Sequence, residues 1–341
     1  MNRDFLRGVV VATLASLFLH ALVPVGGPGP ARVQRRGHQV ARLGPWAVPR
    51  DHRERNLDLA TLTIDRARIR VRPAPAGPEP KTEAPRLAAY RGLGSWIDIF
   101  NTWVWDHPWA TVSKMHDRGV ETIYLQTATH GSTNPVVHPK VTKQFLLAAH
   151  RHDMRVVGWY VPSFARPGRD YRRSLFGLRF GAKKHGFDSF ALDIEATNVD
   201  NIHKRNVRLL WMAKRLRRAA APGYPLGAII PDSHSLYWPD FPYKRVASIF
   251  DVMVPMGYFT FRAEGYKHVQ RYTENNIRTI RKETGRKTPI HVIGGLADEV
   301  GVPAARGFAK AVRKKRVLGA SLYDYPITDD KTWDELAERI P

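Results

Sequence analysis

The chain contains no cysteine. Disulfides, thiol nucleophiles and thiolate metal sites are therefore excluded, while export is neither required nor ruled out. Acidic residues are also in short supply. The 341 residues hold 31 Asp and Glu against 54 Lys and Arg, a formal net charge of +23. The imbalance is not confined to a tail: residues 1–90 carry 15 basic and 7 acidic side chains, and residues 91–341 carry 39 and 24. A diffuse positive charge suits anionic surfaces such as phospholipid, anionic cell-wall polymer or nucleic acid, and it also serves solubility alone. No RNP-like stretch and no zinc-finger spacing occurs, so nucleic acid is not the favoured partner. Walker A, HExxH and GxSxG patterns are missing too. His150 and His152 stand two apart near a helix end and do not share a helical face. No metal site and no cofactor is expected.

Long apolar runs are scarce, with one exception. MNRDFLRG brings two arginines, and Val9 to Val25 then runs apolar but for Thr13, Ser16 and His20. A basic start followed by such a run is expected to be a signal peptide or membrane anchor over residues 1–30. The protein would then be secreted, or anchored with its main domain outside the cytoplasmic membrane. Residues 31–90 are rich in Pro, Gly and charge, as in GGPGPARV (26–33) just before them and VRPAPAGPEPKTEAPR (71–86), and are expected to be a linker. Within it, LATLTIDRARIRVR (59–72) alternates enough for one short strand or hairpin.

From residue 91 the texture changes. Eight short apolar runs recur: GSWIDIF (94–100), TIYLQTA (122–128), RVVGWYVP (155–162), SFALDIE (189–195), PLGAIIP (225–231), FDVMVPMGY (250–258), PIHVIGGL (289–296) and GASLYDYP (319–326). The intervals leave room for a crossover helix each time. HPWATVSKMHDRG has Asp106 before it as a possible N-cap, Pro108 near the helix start and Gly119 as a stop. HPKVTKQFLLAAHRHD and NIHKRNVRLLWMAKRLRRAA read as basic amphipathic helices. The second suits a membrane surface, or an outer helix with a solvated basic face. Eight strand–helix units over residues 91–341 predict a (β/α)8 TIM barrel. An open doubly wound sheet would carry a Gly-rich turn after the first strand, and NTWVWDHPW (101–109) has no glycine.

A barrel of this kind keeps its chemistry at the C-terminal ends of its strands. Those ends offer Asp98, Gln126, Tyr160, Asp193, Glu195, Met256, Tyr258, Tyr323 and Asp324. The loops beyond them are aromatic, with Trp103, Trp105 and Trp109 after the first strand and Tyr237, Trp238, Phe241 and Tyr243 after the fifth. Such rings suit the apolar faces of sugars, and they also pin long loops in place. The fourth strand is the sharpest signal. In FDSFALDIEA (187–196), Phe190, Leu192 and Ile194 share one face, while Ala191, Asp193 and Glu195 share the other. Two like-charged carboxyls on an inner face raise each other's proton affinity, so one can stay protonated and act as a general acid. Cleaving a glycosidic bond needs such an acid. A pair of carboxylates matched with arginines is the plain structural alternative.

These residues resemble a known family. DSFALDIE (188–195) is similar to the DxxDxDxE motif of family 18 glycoside hydrolases, the chitinase-like barrels: Asp188 matches its first Asp, Asp193 its third and Glu195 its catalytic Glu. MGY (256–258) resembles that family's M-x-Y-D segment. The resemblance implies Glu195 as general acid, Asp193 as the group orienting a substrate N-acetyl, and Tyr258 as a hydrogen bond to it. The substrate's own acetamido would then be the nucleophile. The sequence departs from the motif at Ala191 and Phe259, and LYDYP lacks the family's terminal Trp on the eighth strand. More broadly, residues 94–340 resemble a group of exported actinobacterial proteins classed as barrel glycoside hydrolases. The expected function is cleavage of a polysaccharide or cell-wall glycan by Glu195 and Asp193. Tyr258, Asp98, Gln126, Tyr160, Met256, Trp103, Trp238, Tyr323 and Asp324 would be around the sugar. In the conventional two-carboxylate variant, Asp98, Asp193 or Asp324 is nucleophile or base. A non-catalytic carbohydrate-binding barrel and a basic envelope-associated scaffold are the alternatives.

Overall fold

The computed structural model describes residues 86–181, 186–234, 238–285 and 287–340. The expected signal or anchor segment and residues 31–85 of the expected linker lie outside them, as does Tyr237. Eight parallel strands close into a barrel in sequence order. They are β1 (Gly92–Ile97), β2 (Thr122–Thr129), β3 (Arg155–Val161), β4 (Ser189–Asp193), β5 (Leu226–Pro231), β6 (Val252–Met256), β7 (His291–Leu296) and β8 (Gly319–Tyr323). β1 pairs with both β2 and β8, so no edge is left open. The predicted (β/α)8 barrel is the fold.

The helices between the strands are α1 (Thr102–Asp106), α2 (Pro108–Asp117), α3 (Pro139–Arg151), α4 (Pro167–Leu178), α5 (Ile202–Ala219), α6 (Tyr243–Ala247), α7 (Gly265–Thr284), α8 (Val302–Lys315) and α9 (Asp330–Ala337). Their starts are written locally. Pro108, Pro139 and Pro167 open α2, α3 and α4, where a missing N–H does no harm. The side chains of Asn101, Asn201 and Asp329 accept from the first turns of α1, α5 and α9. The expected cap at Asp106 is not used. Asp106 ends α1 instead, and His107 holds the cap position of α2. The segment read as a loop after β1 thus contains a helix of its own.

Strand alternation divides the core in two. Outward residues such as Leu93, Ile97, Phe190, Leu192 and Ile194 pack beneath the helices. Inward residues, among them Trp96, Tyr124, Val157, Trp159, Ala191, Ile229, Val254 and Ile293, fill the barrel. Large aromatic rings fit inside because the facing positions are small. Trp96 stacks on Tyr124 with ring centres 4.2 Å apart. A Cβ on Gly94 would meet the Tyr124 ring at 2.7 Å, and a Cβ on Gly227 would meet Tyr90 Oη at 2.3 Å. Tyr90 comes from the short helical turn Ala88–Tyr90 that precedes β1. Leu87, Ala89 and Tyr90 are buried with the inner cluster. The barrel therefore takes in residues that the composition assigned to the linker, because their apolar side chains close its floor.

Below the mouth, the polar groups of this interior form a chain. Tyr90 Oη lies 2.6 Å from Ser189 Oγ, which donates to the Pro225 carbonyl. His291 Nδ1 is 3.0 Å from the Tyr90 carbonyl, and Nε2 is 3.0 Å from Ser321 Oγ. A carbonyl only accepts, so the proton sits on Nδ1 and Nε2 accepts from Ser321. Ser321 accepts in turn from Trp96 Nε1 at 2.8 Å. Burial lowers the His291 pKa from 6.5 to about 4. Below the ordinary value, the unfolded chain takes up a proton that the folded chain refuses, so stability falls as pH drops through this window. The shift corresponds to roughly 3 kcal/mol. Urea unfolding from about pH 7 to about pH 4.5 should show this loss. His291→Gln should start less stable and show a flatter pH dependence; an equal slope in both proteins would refute the assignment.

Candidate active site

The C-terminal end of β4 carries the predicted pair. Asp193 closes the strand, and Ile194 N still donates to the Ile229 carbonyl at 2.9 Å, so the extended run continues to Glu195. Ala191 belongs to the inner cluster, while Phe190, Leu192 and Ile194 belong to the outer one. Asp193 and Glu195 therefore point to the inside of the mouth, as alternation requires. Asp193 is 7% exposed, and its Oδ1 is buried without a hydrogen-bond donor. Glu195, further out, is half-buried.

Across the barrel, β1 and β8 supply two more carboxyls. Asp98 follows β1 in the inward phase of Gly94 and Trp96, and is buried. Its Oδ1 accepts from Phe100 N at 2.8 Å, and its Oδ2 accepts from Tyr323 Oη at 3.1 Å. Trp105 Nε1 donates to the Asp98 carbonyl at 2.7 Å and holds the turn beneath it. Asp324 follows β8 and is also buried. Met256 ends β6 on the inner face, and Tyr258 and Tyr323 pack against its cluster.

The electrostatics tie these groups into one site. Burial raises the Asp193 pKa well above the usual range, and the charge of Glu195 raises it further. Burial lifts Glu195 to about 7. Asp324 is raised by burial and then by the charge of Asp98. Asp98 is raised by burial, against the opposing hydrogen bonds from Phe100 and Tyr323. Tyr258 is raised by burial and then by Glu195, Asp193 and Asp324. Tyr323 is raised by burial and then by Asp98 and Asp324. Six groups from β1, β4, β6 and β8 thus act on one another around the mouth. Such a site can hold a carboxylic proton near neutral pH and present anionic groups to a developing positive charge.

Four other candidates do not join this set of interacting groups. Tyr160 lies on the outer face of β3, in the cluster beneath the helices, where its hydroxyl donates to Asp170 at 2.8 Å. The strand alternates from Trp159, so Tyr160 cannot turn inward. Trp238 is buried under α5, with Nε1 donating to Asn206 and Arg205 stacked 4.6 Å from its ring. It pins its loop and presents no face to a sugar. Gln126 is buried near the mouth, but its Oε1 accepts from Ile99 N at 2.9 Å and fixes the end of β1. Trp103 is exposed, with His107 beside its ring and Lys114 Nζ 5.3 Å from its centre. Asp188, matched above to the first motif Asp, sits at the opposite end of β4. There it accepts from Val156 N and pairs with His150. The Tyr323–Asp98 bond joins the ends of β8 and β1 across the closure of the barrel.

No protein-family model matches the chain, and no curated protein is similar to it in sequence. Solved structures do match. A chitinase from Chromobacterium violaceum superposes with a TM-score of 0.52 at 12% identity, over 72% of this chain and 98% of that one. The spore cortex-lytic enzyme SleL of Bacillus cereus gives 0.57 at 9% identity, over 74% of each. A family 18 N-acetylglucosaminidase from Paenibacillus barengoltzii gives 0.50 at 10% identity, over 73% and 99%. In its fold, the chain is a distant likeness of the family 18 glycoside hydrolase barrels.

Proposed function

We propose that the protein is a glycoside hydrolase acting on a polysaccharide outside the cytoplasmic membrane. The observation that carries this reading is the inward pair Asp193 and Glu195, desolvated at the end of β4 with no base among the described residues acting on it. Glu195, in its protonated form, gives its proton to the leaving glycosidic oxygen. Asp193 supplies the negative charge that the oxocarbenium-like centre requires. Tyr258 is the hydroxyl available to the sugar. The barrels of a chitinase and a cortex-lytic enzyme support a glycan as the substrate class. The N-terminal apolar run supports export.

A second observation favours the envelope itself as a partner. The outer face of α5 carries Lys204, Val207, Trp211, Lys214, Arg215 and Arg218, all exposed. Arg215 stacks 4.3 Å from the Trp211 ring, and Tyr171 of α4 meets that ring edge-on. The only acid on α4 and α5 is Asp170, which is buried. On α7, α8 and the chain end, by contrast, Glu274 takes Lys314 and Lys315, and Glu335 takes Arg306 and Arg339. An unneutralised face of this kind suits an anionic wall polymer.

Two measurements test these readings. On a panel of polysaccharides, Glu195→Gln should reduce hydrolysis by at least about 100-fold. The same variant should be more stable than wild type at about pH 8. A carboxyl raised from 4.5 to about 7 costs stability as pH climbs through that window, by on the order of 1–3 kcal/mol. Equal turnover by the two proteins would remove the assignment. Separately, retention on an anionic polysaccharide such as polygalacturonate should weaken steeply with salt and fall when Lys204, Lys214, Arg215 and Arg218 are changed to Gln. Binding indifferent to ionic strength would refute the envelope reading.

A further inference from the structure

Several carboxylates on the flanks of the barrel are matched by bases. Asp188 has His150 at 3.0 Å and Arg155 at 3.6 Å, and Asp251 has Arg217 at 2.8 Å together with Arg86. Glu274 and Glu335 each take two cations. Asp170, which is deeply buried, accepts from Tyr160, Ser163 and Phe164 N. Among the described residues, no Lys, Arg or His acts on Asp98, Asp193, Glu195 or Asp324. Asp193 adds an oxygen that no donor reaches. This exclusion has a physical cost, because an unpaired buried carboxylate is unfavourable until something positive arrives.

Hydrolysis uses two of these carboxyls. Asp98 and Asp324 remain, at the ends of the neighbouring strands β1 and β8, on the far side of the barrel from β4. The missing charge must come with the ligand. A bare metal ion does not fit the arrangement, since no three His, Asp or Glu groups among the described residues converge closely enough to hold one. In a polysaccharide, the common substituent that carries positive charge is a free amino group. An acetamido group is neutral and leaves the surplus unanswered. We propose that the glycan taken by this mouth contains de-N-acetylated amino sugar, and that Asp98 and Asp324 hold its ammonium group while Glu195 and Asp193 attend to the glycosidic bond. This inference rests on the glycosidase reading and adds the substrate class to it. Tyr323, which donates to Asp98, keeps that carboxylate turned into the mouth.

The test uses glucosamine oligomers of equal length, one set fully deacetylated and one fully N-acetylated. Binding is measured by calorimetry on full-length Glu195→Gln, which prevents turnover. The deacetylated oligomer should bind at least about tenfold more tightly. Asp324→Asn and Asp98→Asn should each weaken it by about tenfold or more, and leave the acetylated oligomer within about twofold. Asp98 also anchors the turn through Phe100 N, so circular dichroism accompanies each variant, and Asp324→Asn carries the test if Asp98→Asn does not fold. Equal or tighter binding of the acetylated oligomer would overturn the inference and leave the glycosidase reading standing. Parallel losses for both oligomers would overturn it too, by making the two aspartates structural. Failure of both oligomers to bind, with no polysaccharide cleaved by wild type, would end the glycosidase reading and this inference together.

Discussion

Desolvation of carboxyl groups without a base beside them is the constraint on which the mouth of this barrel depends. A carboxylate in water loses its proton readily, and one buried beside an arginine loses it more readily still. Burial withdraws solvent from Asp193 and in part from Glu195, and no arginine among the described residues acts on either. The barrel produces this condition by filling itself from below. Tyr90 closes the floor, and Trp96, Tyr124 and Trp159 occupy the interior. Solvent is displaced from beneath the acids, and the basic residues are left on the helices outside.

Ala191 shows how the interior and the site are linked. It is the inward residue directly below Asp193 and the strand partner of Trp159. A carboxylate at this position would stand in the apolar inner cluster, beside Trp159. Alanine keeps the layer apolar and leaves Asp193 Oδ1 without a donor. The departure from the family 18 pattern therefore leaves the outer acid more isolated than a ladder of carboxyls would. An isolated acid costs stability in the free protein, and it holds a proton or binds a cation more strongly for the same reason.

Most of the barrel was readable because both of its periods are local. Each strand appeared as an apolar run, and α5 as a basic amphipathic stretch opened by Asn201. Period two also oriented Asp98, Asp193 and Glu195 correctly, since Trp96 and Ala191 set the phase. The same rule applied to β3 would have excluded Tyr160, whose neighbours Trp159 and Val161 are the inward ones. What could not be read depends on contacts distant in the chain. Trp238 looks like a sugar platform until Asn206 and Arg205, more than thirty residues away, are seen to enclose it. Gln126 looks like a ligand group until Ile99 N takes its oxygen. Tyr90 reads as the tail of a linker, because nothing local shows that Gly227 has made room for it.

The division of charge follows from the same geometry. Helix faces are wetted and tolerate cations at little cost, so the surplus of lysine and arginine accumulates there. A strand end in a filled barrel is not wetted, and each carboxyl placed there is felt by its neighbours. Tyr258 responds to Asp193, Glu195 and Asp324 at once. A ligand entering this mouth meets a field opposite in sign to that of the surface it has just crossed. An anionic chain is favoured by the outside and resisted at the centre, and a neutral one is indifferent to both. A chain bearing positive charge is resisted by the outside and stabilised at the centre, where low dielectric strengthens the interaction. That asymmetry ranks ligands by charge at the mouth of the barrel, independently of the aromatic loops.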